Sequence, residues 1–138
     1  MKFIEKLLSK NLCDENKTAV SIGWAGEETA VKILKKNGYK IIERNYRTRQ
    51  GEIDIIAKDG EYTCFVEVKF RKNDDFGDPG DFIDERKQQK IIKTAQYYAV
   101  KKGIYDTPMR FDAVLISAGK EEKIKTEVIK DAFRLQDI

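Results

Sequence analysis

Apolar side chains recur at two different spacings along this chain, and the spacing divides it into elements. Between Ala25 and Asn37, Ala30, Val31 and Leu34 repeat at the helical interval, Lys35 and Lys36 fill the last turn, and Gly38 stands where a left-handed cap belongs. From Tyr39 to Arg47 the β-branched and aromatic residues fall at alternate positions, which predicts a strand. Glu52 to Lys58 and Thr63 to Lys69 predict two more, joined by a turn at Asp59-Gly60, so the three form a meander. Gly77, Pro79 and Gly80 mark a loop between Lys72 and Asp81. Asp84 then caps a second helix whose stripe is Ile91, Ile92, Ala95, Tyr98 and Ala99 and which ends at Gly103. Arg110 to Ser117 reads as a buried strand and Ile124 to Ile129 as a further one.

An order of helix, three strands, helix and one or two strands predicts a layered α/β fold, a mixed sheet with helices packed on it. Residues 1–20 read as a frayed or helical N-terminal arm and residues 21–138 as a single domain, the usual outcome for 138 residues. Met1 to Leu12 alternates lysines with apolar residues and has no long apolar run or cleavage site, so a cytoplasmic protein without membrane association is expected. In that setting Cys13 and Cys64 are expected to be free thiols.

The chain contains no histidine, which excludes Ser-His and Cys-His nucleophile systems and the usual catalytic zinc sites. Chemistry must come from carboxylates, lysine, tyrosine or a hard cation. The net charge of +3 is small, but its distribution is uneven. Every charged residue from Arg86 to Lys102 is basic, and Arg44, Arg47 and Arg49 form a second basic cluster, a pattern suited to a polyanion.

The segment Gly51 to Lys69 carries the candidate chemistry. A turn at Asp59-Gly60 would set Lys58 opposite Glu61, Asp54 opposite Phe65 and Glu52 opposite Glu67, with Glu52, Asp54, Glu67 and Lys69 on one face. Asp54 and Glu67 would then be diagonal neighbours, roughly 7 to 8 Å apart at the backbone, with carboxylates able to converge on one cation. The other face, Ile53, Ile55, Cys64, Val66 and Val68, would be wholly apolar and packed on a helix. A solvated face laced by Glu–Lys pairs has the same pattern, although crowded carboxylates repel unless a cation compensates them. Oxygen-coordinated Mg²⁺ or Mn²⁺ beside a lysine suits phosphodiester cleavage, in which the cation offsets phosphate charge and activates water. Glu27 shares the stripe of Ala30, Val31 and Leu34 and so faces inward, unless it serves only as an acid at a helix N-terminus. Lys87 and Gln88 extend the second helix's stripe toward its N-terminus, where a phosphate-facing role and a solvated helix end are both open.

The segments AGEETA, GYKIIERNYR, GEIDIIAKDG, FVEVKFR, FGDP and RFDAV together resemble the YraN-like family, an uncharacterised bacterial group, from roughly Ala25 to the C-terminus. That family is similar to the PD-(D/E)XK nucleases and the archaeal Holliday junction resolvases. The resemblance implies a restriction-endonuclease-like core of α-β-β-β-α-β order. It implies metal ligation by Glu27, Asp54 and Glu67, with Glu67 and Lys69 as the E-x-K pair. Ile53 stands where the superfamily name has proline, and Arg110 and Asp112 match a family RFD motif without an assigned role. The leading expectation is a Mg²⁺- or Mn²⁺-dependent endonuclease on DNA, on branched or damaged substrates, working as a homodimer. Arg44, Arg47, Lys87, Gln88, Lys90 and Lys93 would grip the phosphates. The alternatives are a non-catalytic nucleic-acid-binding module and a protein-interaction adaptor with a nuclease-like core.

Overall fold

Helix α1 (Ala19–Lys36) and helix α2 (Glu85–Lys102) each bury one apolar stripe, and the sheet between them is apolar on both sides. The computed structural model describes residues 19–71, 83–118 and 124–134. The expected arm, except for its last two residues, and the Gly/Pro loop lie outside that range. Strands β1 (Lys40–Thr48), β2 (Gly51–Asp59) and β3 (Tyr62–Arg71) form the antiparallel meander. After α2 the chain returns as β4 (Met109–Ala118) parallel to β3, and β5 (Ile124–Phe133) closes the sheet antiparallel to β4. The expected α-β-β-β-α-β order is present, with the fifth strand added at the edge.

Asp84 caps α2 by accepting from the Lys87 amide, and Gly103 ends it at φ 69. Gly38, at φ 88, follows α1 as expected. Helix α1 starts six residues before Ala25, so the last two residues of the arm take the helical of its two readings, although Val20, Ile22 and Gly23 have poor intrinsic helix propensities.

One layer of core sets Ala30, Val31 and Leu34 of α1 against Ile55, Ala57, Cys64, Val66, Val114 and Ile116. The other sets Ile91, Ile92, Ala95 and Tyr98 of α2 against Ile53, Ile56, Phe65, Ala113 and Leu115. This corrects the expectation of one acidic and one apolar face. A parallel β3–β4 pair needs a crossover helix, and that helix covers the second face, so strands at the sheet's centre are buried on both sides. Buried side chains such as Ile56 and Phe65 each contribute about 1.5–3 kcal/mol. Cys64 is a free thiol; burial, then the Asp112 charge, pushes its pKa up to about 12.

Strand alternation is broken by bulges that the periodicity did not reveal. In β1 the register shifts between Ile41 and Glu43, leaving Ile42 as an extra, exposed residue. In β5 the shift opposite Phe111 and Ala113 adds two residues, so the strand runs on past the expected end at Ile129. Asp131 lies in this bulge at φ 57 and turns its amide onto Asp112, at 2.9 Å.

Asp112 has no solvent exposure. Besides that amide it accepts from the Tyr39 hydroxyl at 2.7 Å and from Arg110 Nε and Nη2, each at 2.8 Å. Arg110 also reaches Asp59 at 2.7 Å, and Lys130 reaches the same carboxylate at 3.0 Å. Four segments, the start of β1, β2, β4 and β5, are thereby joined around one buried charge, which gives Arg110 and Asp112 of the RFD motif a structural role. Burial alone would raise the Asp112 pKa, but the donation from Arg110, Asp131 and Tyr39 outweighs it and holds the carboxyl below its ordinary value. Asp112→Ala should therefore cost about 3–5 kcal/mol by urea unfolding, since it leaves Arg110 buried without its main partner. A folded-state pKa below the unfolded one supplies stability at neutral pH that disappears as pH falls through the carboxylate range. The parent should accordingly lose that increment in acid, and a variant curve parallel to the parent's from pH 7 to pH 3 would refute the assignment.

Candidate active site

The β2–β3 hairpin brings the inward acids together by a register different from the expected one. Asp59 pairs with Tyr62 and Ile55 with Val66, so the two-residue loop is Gly60-Glu61, with Gly60 at φ 61. Phe65 lies opposite Ile56, not Asp54. A positive φ at the first loop position alone is the pattern of a type II′ turn, and glycine at that position outcompetes the Asp-Gly alternative. The register therefore moves by two residues, and an even shift keeps Glu67 and Lys69 on one side of β3 and Cys64, Val66 and Val68 on the other, whereas Ile53 leaves the face expected for it. The shift also makes Asp54 a direct neighbour of Glu67 where a diagonal one was expected.

Beyond Ile55–Val66 the regular ladder stops, and the Val68 amide donates instead to Asp54 Oδ2 at 2.9 Å. Ile53 packs under α2 while Ile55 packs under α1, so the alternation of β2 breaks at Asp54. Gly51 begins this strand at φ 154, where a Cβ would come within 3.1 Å of Thr94 Oγ1 and 3.4 Å of Lys90 Cβ. Only glycine lets α2 approach this closely, and the approach brings the basic N-terminal half of α2 to the acids.

Asp54 and Glu67 face each other at hydrogen-bonding range. Burial first, and the Glu67 charge second, push the Asp54 carboxyl up to about 7, against partial relief from the Val68 amide and Lys87. Glu67, whose side chain is only 5% exposed, takes an ion pair from Lys87 Nζ at 2.5 Å. Burial disfavours the Lys87 charge, but Glu67 more than compensates and the ammonium pKa rises. Lys69 is half-buried and follows Glu67 by two residues, on the side of β3 opposite Val68 and Phe70.

Glu27 is raised by burial and, more weakly, by Asp54, which sets it within electrostatic reach of the pair. Asn45 holds it with a hydrogen bond of 3.1 Å, and Arg44 lies 3.8 Å away while bonding Glu28 at 2.6 Å. Arg47 pairs with Glu52 at 3.1 Å. Three bases expected at phosphates, Arg44, Arg47 and Lys87, thus pair with acids of the site. Gln88 donates to the Ile83 carbonyl at 2.7 Å and braces the start of α2. Lys90 and Lys93 are exposed and make no ion pair among the described residues.

A cavity of about 340 Å³, lined by Gly51, Glu52, Asp84, Arg86, Lys87, Lys90 and Ile91, opens beside the acids, and Lys87 belongs to both. Among the described residues no group of three or more potential ligands is close enough to enclose a metal ion. The donors that could hold one are therefore the Asp54 and Glu67 oxygens, with Glu27 next in reach. Sequence reasoning missed Asn45 and the Lys87–Glu67 pair. Asn45 had a signal, since asparagine tolerates the left-handed backbone it adopts at φ 54, whereas the ion pair joins residues that only the tertiary fold brings together.

Fold and site define a mixed-sheet α/β protein whose central hairpin presents a crowded carboxylate pair beside a basic helix, and no described helix is long and apolar enough to cross a membrane. The chain belongs to the uncharacterised protein family UPF0102, the YraN-like family, which it matches over residues 26–116. It is 40% identical over 112 residues to the UPF0102 protein of Symbiobacterium thermophilum, covering 81% of this chain and 95% of that one. The UPF0102 protein of Syntrophus aciditrophicus is 45% identical over 113 residues, covering 82% and 88% respectively. That of Clostridium tetani is 44% identical over 115 residues, covering 83% and 94%.

The raised Asp54 pKa makes a stability prediction. Its folded value lies above the unfolded 3.8, so the native state keeps an extra proton between about 4 and 7, and metal-free stability falls as pH rises through that window. Asp54→Asn, which can still accept from Val68, removes the penalty. It should exceed the parent above pH 7 by on the order of 1–3 kcal/mol, one pKa unit being worth about 1.4, and converge with it near pH 4. Melting curves in EDTA from pH 4 to pH 9 measure this, and an Asn variant no more stable than the parent at pH 8 would contradict it.

Proposed function

We propose that the protein is a metal-dependent endonuclease that hydrolyses phosphodiester bonds in DNA, acting in the cytoplasm on branched or repair intermediates. The observation that carries this reading is the contact of Asp54 with Glu67, two carboxylates held together against their own repulsion, with Lys69 following on the same strand. Such strain at one point of an otherwise well-matched core is characteristic of a functional site. The donor set consists of hard oxygens without histidine or thiolate, which fits Mg²⁺ or Mn²⁺, and Mg²⁺ commonly takes one or two carboxylates and completes its shell with substrate phosphate. Asp54 and Glu67 would hold the ion, with Glu27 as a further acid. Once bound, the ion supplies charge neutralisation at the scissile phosphate and an acidified water.

The chain's own groups account for the rest. Lys69 orients the attacking water or stabilises negative charge as the phosphorus–oxygen bond breaks. Lys90 and Lys93 bind backbone phosphates flanking the cut, and Arg44, Arg47 and Lys87 become available to phosphate when their acids are compensated otherwise. Two copies related by a twofold axis would present two such sites to the two strands of a branch.

A second reading, a non-catalytic nucleic-acid-binding module, is favoured by one observation. Each of Glu27, Glu52 and Glu67 already has a basic partner, so the site is largely neutralised without a metal.

Incubation of linear, flapped and four-way DNA with Mn²⁺ or Mg²⁺ separates the two. Asp54→Asn and Glu67→Gln should abolish cleavage yet keep or strengthen binding, since each removes a ligand and a negative charge beside phosphate. Lys69→Ala should slow cleavage by about 100-fold or more while leaving metal affinity unchanged. The pair Lys90→Ala and Lys93→Ala should lower the slope of log K against log salt by about two. Binding without cleavage of any DNA structure, with either ion, would leave only the binding module.

A further inference from the structure

Among the described residues, Lys87 is the one base whose ammonium enters the carboxylate pair. Its Nζ lies 2.5 Å from Glu67 Oε1, and Glu67 is almost wholly shielded while the Lys87 side chain remains 47% exposed and borders the cavity. The side chain thus links two environments, the buried acids and the open hollow that also holds Glu52, Arg86 and Lys90. Glu67 in turn contacts Asp54, whose only other described donor is the Val68 amide. Removing Glu67's partner would leave two facing carboxyls with little compensation, which identifies Lys87 as what keeps the metal-free arrangement together.

We propose that Lys87 is the site's built-in counter-ion: its ammonium takes the charge-compensating place of a divalent cation in the metal-free protein and moves to a nucleic-acid phosphate when the cation enters. The inference rests on the nuclease reading and adds to it a competition between an internal and an external cation for the Glu67 carboxylate. Two ligands competing for one group are negatively coupled, and the coupling is reciprocal. Metal should release Lys87, and loss of Lys87 should tighten metal. The cavity gives the released ammonium a place beside Lys90, on the side where the exposed lysines of α2 would meet a phosphate backbone. Lys87 is a positioning and charge-compensating residue under this proposal, distinct from Lys69.

The test uses the full chain as parent, Lys87→Met, Lys87→Arg, Glu67→Gln and the Lys87→Met/Glu67→Gln double variant, each checked for folding by circular dichroism. In EDTA, Lys87→Met should lower the melting temperature, Lys87→Arg should restore it, and the double-mutant cycle should show coupling between the two positions. In Mn²⁺ titrations followed by calorimetry without DNA, Lys87→Met should bind the ion about tenfold or more tightly than the parent. With a short duplex in Mn²⁺ at a temperature that blocks cleavage, the same variant should lose about one unit of salt slope. A merely structural lysine would not tighten metal when removed. Absence of coupling in the cycle overturns the counter-ion assignment, and Mn²⁺ affinity equal to or weaker than the parent's overturns the competition. If coupling is intact and Mn²⁺ binds neither parent nor Lys87→Met, the nuclease reading fails and the competition fails with it, a result distinct from the other two.

Discussion

Asp112 is completely shielded from water and still charged, because Arg110, Tyr39 and the Asp131 amide surround it on the α1 side of the sheet. Each donor comes at a structural expense: a bulge in β5 to turn one amide inward, a guanidinium shared with Asp59, and a tyrosine placed just after the Gly38 cap. Given those, β1, β2, β4 and β5 meet around one buried charge, and the position of β3 between β2 and β4 follows. The hairpin that carries the candidate chemistry is therefore mounted on a frame fixed by ion pairing as well as by apolar packing.

Asp54 presents the opposite case. It is half-buried, and among the described residues one amide and the Lys87 ammonium relieve its charge while Glu67, another acid, opposes it. The protein tolerates this because the frame around it is over-determined, with core on both faces and the close approach of α2 at Gly51. Local repulsion that surrounding structure could have removed, and did not, is what distinguishes a site from a surface.

Much of this was legible in the chain because face assignment depends only on parity. Misplacing the turn by one step at each end shifted the β2–β3 register by two residues, and Glu67 and Lys69 still fell where alternation put them, with Asp54 beside Glu67 although Ile53 left its expected face. Both helix ends marked by Gly38 and Gly103, and the α2 stripe from Ile91 to Ala99, were readable because capping and the 3.6-residue period are local. What was not readable is non-local or aperiodic. The bulges at Ile42 and Asp131 depend on what lies across the ladder, and burial of both sheet faces follows from the parallel pairing of β3 with β4. The engagement of Arg44, Arg47 and Lys87 by acids depends on which elements the fold makes adjacent. A run of basic residues can be seen in a sequence, but not the partners that occupy it.

Cys64 lies in the middle of β3, with no exposure and a thiol held almost wholly protonated at neutral pH. Since the thiolate is the reactive form, alkylating and oxidising reagents have no route to this sulfur while the two helices stay on the sheet. Its modification becomes a clock. The rate at which Cys64 acquires a label reports how often α1 lifts or the meander separates, one event at a time, at a residue inside the same strand that carries Glu67 and Lys69. A sulfur with no part in the chemistry thus records how long the frame that orients it stays closed.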